Sequence, residues 1–310
     1  MTVRKSAIGK KSDLIFYCAL LVWPVLQFLI FYVYVNFNSF FLAFKKIELV
    51  PGKGYVSSPS VQAFKDLFTL LQTKEIREAA LTSILVYGLT LVVVTPLGLL
   101  FSYYISKKLF ASGFFRVMLF LPSILSSVVM VTIYTYFVNN ALPSMLEDFF
   151  GMKDVMPFLS RPKKIKFVMV FIYNFIVGFG VSVLMYANAM SAISPEVMEA
   201  AKLDGATGIK EFLHVSLPMI FPTLSVFLVT GIASIFTNQY NLYSFFSNQT
   251  DPPFQTFGYY MYVNTMKVQA KMDMSGYPQL SALGLAMTFV AVPLTYLVKW
   301  LLEKFGPSED

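Results

Sequence analysis

Ser194-Pro195-Glu196-Val197-Met198-Glu199-Ala200-Ala201-Lys202-Leu203-Asp204-Gly205-Ala206-Thr207-Gly208-Ile209-Lys210-Glu211-Phe212-Leu213-His214-Val215-Ser216-Leu217-Pro218 lies between two long apolar segments and reads as two short helices. Ser194 is a good N-cap, Pro195 suits the first helical position, and Glu196 and Glu199 sit near the positive end of the helix dipole. Gly205 stops the first helix, because without a Cβ it takes the left-handed conformation common just past a helix end. Thr207 is placed to cap the second helix, and Pro218 closes it.

Isolated helices shorter than about 12 residues are marginal in water, so both need a surface to lean on. Ala200 and Ala201, with Val197 one turn back, form a small, flat apolar side, and Glu199, Lys202 and Asp204 place charges around its edge. That is the form of a docking element. The plain alternative is an amphipathic loop between membrane spans.

Outward from the loop, composition sets the class. Of 310 residues 56% are hydrophobic and 13% charged, with a mean hydropathy of +0.65. A soluble globule carries about 25% charged residues, so this is an integral membrane protein. The net charge of +7 is scattered at the ends of apolar runs, which points to phospholipid headgroups as counterions and away from nucleic acid. Cys18, the single cysteine, lies in the first apolar run and reads as a small buried residue. With it alone there is neither an intrachain disulfide nor a thiolate metal site.

Six charge-poor windows are long enough to cross a bilayer, which takes about 20 residues. They are placed at 14–35, 79–106, 117–138, 167–190, 219–240 and 280–302. The first follows Arg4, Lys5, Lys10 and Lys11, lacks a small-residue cleavage site and reads as a retained span. An even number of spans puts both termini on one side. Basic density, highest in the N-terminus, the Lys107 to Arg116 turn, the 194–218 loop and the C-terminus, makes that side the cytoplasm. Arg161, Lys163, Lys164 and Lys166 then fall outside, against the rule. Between the first two spans, the stretch 61–71 places Phe64, Leu67, Phe68 and Leu71 on one helical face. Pro24, Pro96, Pro122 and Pro293 are expected to kink the spans that contain them.

These residues carry a resemblance. Glu199-Ala200-Ala201, then Gly205, then an aliphatic residue before Leu217-Pro218, resembles the EAA loop of ABC-importer permeases, Val215 standing where the family usually has Ile. Leu81-Thr82-Ser83, Thr95-Pro96-Leu97-Gly98-Leu99, the basic turn from Lys107 to Arg116, Phe120-Leu121-Pro122, Gly178-Phe179-Gly180 and Leu184-Met185-Tyr186 extend it. Together they are similar to the transmembrane domain of maltose-type carbohydrate permeases. Asn248-Gln249-Thr250-Asp251-Pro252-Pro253 departs from it, replacing a Gly-Gly-Pro turn.

The resemblance implies an all-α polytopic membrane protein of six transmembrane helices with the type I ABC-importer permease fold. Residues 1–78 are an N-terminal segment with the first span and an extracytoplasmic loop. Residues 79–303 form a five-helix core carrying the loop, and 304–310 a cytoplasmic tail. It implies a second homologous permease as heterodimer partner, two ABC ATPase subunits, an extracytoplasmic solute-binding protein and location in a bacterial inner membrane. Glu199, Ala200, Ala201, Asp204, Gly205, Leu217 and Pro218 are then the ATPase-coupling residues.

The chemistry missing from the chain agrees. There is no GxxxxGK[ST] phosphate loop, so ATP and Mg belong to the ATPase subunit, and this chain carries no cofactor of its own. His214, the single histidine, builds neither a metal site nor a catalytic triad. The windows hold no Asp, Glu, Lys or Arg before the end of the sixth, against an ion-coupled secondary carrier or an intramembrane enzyme. A non-transporting scaffold remains the other alternative. At span depth there are instead Tyr134 with Tyr136, Tyr173 with Asn174, Asn188, and Thr237, Asn238, Gln239, Tyr240 and Asn241. Amides donate to and accept from hydroxyls, and aromatic faces pack on sugar C–H faces, so these are the candidate substrate pathway. Such groups also serve simply to join helices, each interhelical bond contributing about 0.6 kcal/mol.

Overall fold

A backbone in lipid has to satisfy its own hydrogen bonds, so the apolar runs fold as helices. The computed structural model describes residues 11–247 and 252–307; Arg4, Lys5, Lys10 and the Asn248 to Asp251 departure lie outside them. In chain order the elements are α1 (Phe16–Leu42), β1 (Lys45–Val50), β2 (Gly54–Pro59), α2 (Gln62–Leu71), α3 (Lys74–Ser106), α4 (Ser112–Ile124), α5 (Ser127–Phe150), α6 (Lys163–Ser191), α7 (Pro195–Leu203), α8 (Ile209–Met219), α9 (Phe221–Ser234), α10 (Leu242–Phe246), α11 (Phe257–Ala270) and α12 (Tyr277–Phe305). Among the described residues α1, α3, α6 and the helix ending at Phe305 are long and apolar enough to cross a membrane. The pairs α4 with α5 and α8 with α9, bent by 105° and 69°, bring the number to six when each is one broken span.

Two expected spans are corrected. The third, expected as one helix over 117–138, breaks after Ile124, where Leu125 turns to extended backbone (φ −78°, ψ 148°) three residues past Pro122. The fifth, expected to reach residue 240, ends as a helix at Ser234 and is followed by a polar turn in which Tyr240 and Asn241 sit at positive φ. The first runs on to Leu42 instead of 35. Asn36 Nδ2 bonds the Tyr32 carbonyl and Ser39 Oγ the Val35 carbonyl, so these polar residues stay within the helix.

Prolines act through helix width. Short π-helical turns end two residues ahead of Pro96, Pro143 and Pro218, at Thr90–Val94, Phe137–Ala141 and Phe212–Ser216. A proline ring clashes with the carbonyl four residues back, and widening the preceding turn relieves the clash without ending the helix. Thr95 bonds the Thr90 carbonyl with its backbone N–H and, at 3.1 Å, with its hydroxyl.

The chain divides into two compact units. One comprises residues up to 69 together with 268–286. In it β1 and β2 form an antiparallel hairpin, Lys45 opposite Pro59 and Val50 opposite Gly54, and the Tyr55 hydroxyl donates to the Met272 carbonyl at 2.7 Å. Ala43, Ala63 and Ala282 are its buried centre, with Phe64 and Leu285 against them. The amphipathic stretch is helical as expected: Leu67 of the expected face is buried beside Ala63, Phe64 and Leu71 are half-buried, and Phe68 departs from it, 71% exposed.

The other unit, 70–267 and 287 onward, is organised on α6. Phe179, Val183 and Ala187 of α6 bury against Ile105, with Phe101, Tyr104 and Leu119 around them. Ser102 Oγ lies 2.6 Å from the Gly98 carbonyl and 2.9 Å from the Val183 carbonyl, joining α3 to α6. Buried Ser83 Oγ accepts the Phe257 backbone N–H at 2.9 Å, fastening α3 to the start of α11. Ser83→Ala leaves that N–H without a partner, an expected loss of about 1–3 kcal/mol. A lower thermal midpoint of the purified chain in detergent checks it, and an unchanged midpoint refutes it.

Candidate functional site

The loop between α6 and α9 folds from local signals. Ser194 caps α7 (φ −63°, ψ 142°), its hydroxyl oxygen accepting the Val197 N–H at 3.5 Å. Hydrogen bonds from its own backbone N–H, then from the Ser194 hydroxyl, hold the Glu196 carboxyl below its ordinary 4.5. A carboxylate lowered on folding supports the helix start above the unfolded-state value, and that support is lost as pH falls through the folded one. At the other end Gly205 stands at φ +79°, its N–H bonding the Lys202 carbonyl at 3.0 Å while Ala206 N–H bonds the Ala201 carbonyl at 2.9 Å. This is a Schellman stop. Gly208 (φ 56°, ψ −122°), not Thr207, occupies the cap of α8, with no side-chain cap bond. Pro218 lies within α8, admitted by the widened turn before it, and the bend to α9 follows at Ile220.

Seen from solvent, the coupling candidates separate. Glu199, Ala200, Asp204 and Gly205 are exposed, whereas Ala201 is buried against the chain itself. The two alanines thus face different ways. Leu217, half-buried, packs on a cluster of Leu99, Tyr186, Met190, Phe212 and Ile220, and Pro218 is half-buried beside it. Leu203 stands 90% exposed between Lys202 and Asp204. This bare leucine forms an apolar knob at the tip of the capped helix. His214 Nδ1 lies 3.0 Å from the Lys210 carbonyl on the exposed side of α8.

Sequence reading missed Glu211. Among the described residues it is the only charged side chain that is buried, 3% exposed. Lys107, just past the end of α3, forms an ion pair with its Oε1, and the Tyr103 hydroxyl lies 3.2 Å from the same oxygen and 3.1 Å from the Gly208 carbonyl. Lys107 Nζ also stands 5.4 Å over the Tyr103 ring, which meets the Phe212 ring at 5.2 Å between centroids. The available signal was the spacing of Tyr103 and Lys107, four apart and so on one face of a helix end.

Four of the polar candidates, Asn174, Asn238, Tyr240 and Asn241, are joined at one turn. Asn174 Nδ2 donates to the Val170 and Tyr240 carbonyls at 2.9 and 3.1 Å, and its Oδ1 accepts from Asn241 Nδ2 at 2.7 Å. Asn238 Oδ1 accepts the Tyr240 N–H at 2.8 Å, and its carbonyl accepts from Thr256 Oγ1 at 3.0 Å. These bonds hold Tyr240 and Asn241 at φ 56° and 55°, a strained conformation for a tyrosine that persists only where its surroundings impose it. Gly258 packs under the turn, where a Cβ would fall 2.4 Å from the Thr237 carbonyl oxygen. Tyr173 is buried, its ring 5.3 Å from that of Tyr134, whose hydroxyl bonds the Met169 carbonyl at 2.7 Å. Asn188 is exposed on α6, apart from the turn. Gln239 Oε1 is buried and, among the described residues, has no hydrogen-bond partner.

Asn238 and Tyr240 line a cavity of 180 Å³ with Ser83, Thr90, Ser182 and Tyr186 among its other walls. Its lining is uncharged throughout. Pockets for drug-sized ligands measure about 300–1,000 Å³, so this one by itself is smaller than a binding chamber.

The helices and the outward-facing capped loop between two of them define a multi-pass membrane protein with the fold of an ABC-importer permease. The chain belongs to the family described as binding-protein-dependent transport system inner membrane component, whose model matches residues 94–309 and so includes the whole loop. Similar proteins include the arabinooligosaccharides transport system permease protein of Bacillus subtilis (strain 168), 26% identical over 209 residues, covering 66% of this chain and 64% of that one. The polygalacturonan/rhamnogalacturonan transport system permease protein of the same organism is 24% identical over 302 residues, 94% of this chain and 88% of that one. A chain of the bacterial alginate ABC transporter, crystallised in complex with an alginate pentasaccharide-bound periplasmic protein, superposes with a TM-score of 0.74 at 20% identity, covering 95% of this chain and 96% of that one.

Proposed function

We propose that this chain is the permease subunit of an ATP-driven, binding-protein-dependent importer of a carbohydrate, an oligosaccharide or related solute. The observation that carries the proposal is the capped α7 with its exposed face of Glu199, Ala200, Leu203 and Asp204, within the residues that match the family model. The carbohydrate class rests on the likeness to arabinooligosaccharide and polygalacturonan/rhamnogalacturonan permeases and on an uncharged, hydroxyl- and amide-bearing turn at span depth. The chamber is completed by a second, homologous permease, since the cavity beside the polar turn is by itself too small for an oligosaccharide. Two ATPase subunits, which hold ATP and Mg, dock on the loop, and an extracytoplasmic binding protein delivers solute to the opposite face. Both termini are cytoplasmic. The chain is itself no enzyme: it moves between inward- and outward-facing forms as the ATPases close.

The test is binding-protein-stimulated ATP hydrolysis in proteoliposomes holding the chain with the subunits that co-purify with it, for wild type and Gly205→Asp. There is open space around the Gly205 Cβ position, so the substitution acts through its φ of +79°, costing about 1–2 kcal/mol, and through a charge on the docking face. Stimulation is expected for wild type with an oligosaccharide-loaded binding protein and lost in Gly205→Asp. Failure of any ATPase to co-purify with the wild-type chain would overturn the proposal and favour a scaffold.

A further inference from the structure

The loop presents one helix to solvent and fastens the other to the membrane core. α7 buries only Ala201, whereas the first turn of α8 is held by α3 at three successive points: the Gly208 carbonyl, the Glu211 carboxylate and the Phe212 ring. All three meet Tyr103, and the Glu211 carboxylate also meets Lys107; the two side chains stand one turn apart, on the last turn of α3 and the residue that follows it. A carboxylate 3% exposed is tolerated only when its charge is paired and its remaining lone pairs are bonded. Glu211 satisfies this through Lys107 and Tyr103, and it lies in the first turn of α8, where the helix dipole favours an anion. Between α7 and α8 there are only residues 204–208, with open space around both Gly205 and Gly208. A displacement of α7 therefore reaches the spans through α6 on one side and through α8 on the other, and α8 has its charged attachment on α3.

We propose that Glu211 is a positioning residue: its pair with Lys107, completed by Tyr103, is the joint that makes α3 move with the docking loop. The coupling role rests on the proposed function, while the joint itself is a property of this chain alone. Neither Glu211 nor Lys107 lies on the exposed face of α7, so breaking the pair spares docking and disconnects it from the span.

Two measurements test this, on Glu211→Gln, Lys107→Met and the charge swap Lys107→Glu with Glu211→Lys. In the reconstituted complex the single variants are expected to retain wild-type amounts of ATPase while ATP hydrolysed per solute imported rises about fivefold, the low end of measured coupling factors; the swap is expected to return the ratio toward wild type. In the full-length chain in detergent, with Cys18→Ser to remove the free thiol, spin labels at the exposed positions 109 and 213 report the distance between the α3 end and α8. That distance is expected to be narrow in wild type, broad in the single variants and narrow again in the swap. A distribution that stays narrow in both single variants overturns the joint. An unchanged ratio with ATPase still bound overturns the coupling role, whereas a wild-type chain that recruits no ATPase overturns the proposed function beneath it.

Discussion

Leu203→Asp is expected to leave the chain folded and inserted while reducing ATPase recruitment by at least about 100-fold. With 90% of Leu203 exposed, the free chain loses almost no packing when it is replaced, and substitutions at such positions usually change stability by less than about 0.5 kcal/mol. In the proposed docked complex the same side chain is the most exposed large apolar group of α7, a helix bounded by the Ser194 cap at one end and the Gly205 stop at the other. Burying a leucine contributes about 1.5–3 kcal/mol. A carboxylate in its place adds the cost of an unpaired charge in a closed interface, so a loss beyond two powers of ten follows at 1.4 kcal/mol for each. The measurement is the molar ratio of ATPase to permease after affinity purification, with detergent thermal stability as the control for folding. A wild-type ratio in Leu203→Asp would remove the knob from the interface.

Gly180→Ala is expected to be the most damaging single-methyl change in the unit organised on α6. Its Cβ would lie 1.8 Å from the Leu119 carbonyl oxygen and 2.4 Å from the Leu119 carbonyl carbon. Those atoms are helix backbone and cannot rotate away, so α4 has to separate from α6, opening the contact that Phe179, Val183 and Leu119 make around it. Overpacking of this kind costs about 1–3 kcal/mol and more where backbone must move. Gly178, two residues earlier on the same helix, provides the control, because nothing lies within 4 Å of its Cβ position. Gly178→Ala is expected to be neutral or to stabilise by up to about 1 kcal/mol through helix propensity alone. Thermal unfolding of both variants in one detergent decides it; equal midpoints would show that α4 and α6 separate without cost.

Gly178-Phe179-Gly180 illustrates what linear reading reaches. The triplet is visible as a motif, but nothing local distinguishes a glycine in open space from one pressed against a carbonyl, because the difference lies in a helix some 60 residues away in the chain. Ala200 and Ala201 are alike: adjacent on a helix, they point about 100° apart, and only the presence of the core decides which is buried. The break after Ile124 is of the same kind. Pro122 marks a weak point, yet Pro24 and Pro293 lie inside helices that continue past them. Asn174 and Asn241 were separately recognisable as amides at span depth, and the fold revealed them as one hydrogen-bonded turn.

Local chemistry was enough for what repeats or caps along the chain. The charge-poor windows required helices, since lipid offers the backbone no partner. Ser194, Pro195 and Gly205 set the limits of α7, since caps and stops act within a few residues. The tertiary structure alone decided the rest: which face of α7 meets solvent, where the third and fifth spans break, and that Glu211 is buried on Tyr103 and Lys107. The reason is range. A cap depends on neighbours four residues away, whereas the pairing of Glu211 with α3 joins positions more than 100 residues apart and exists only once both helices are packed.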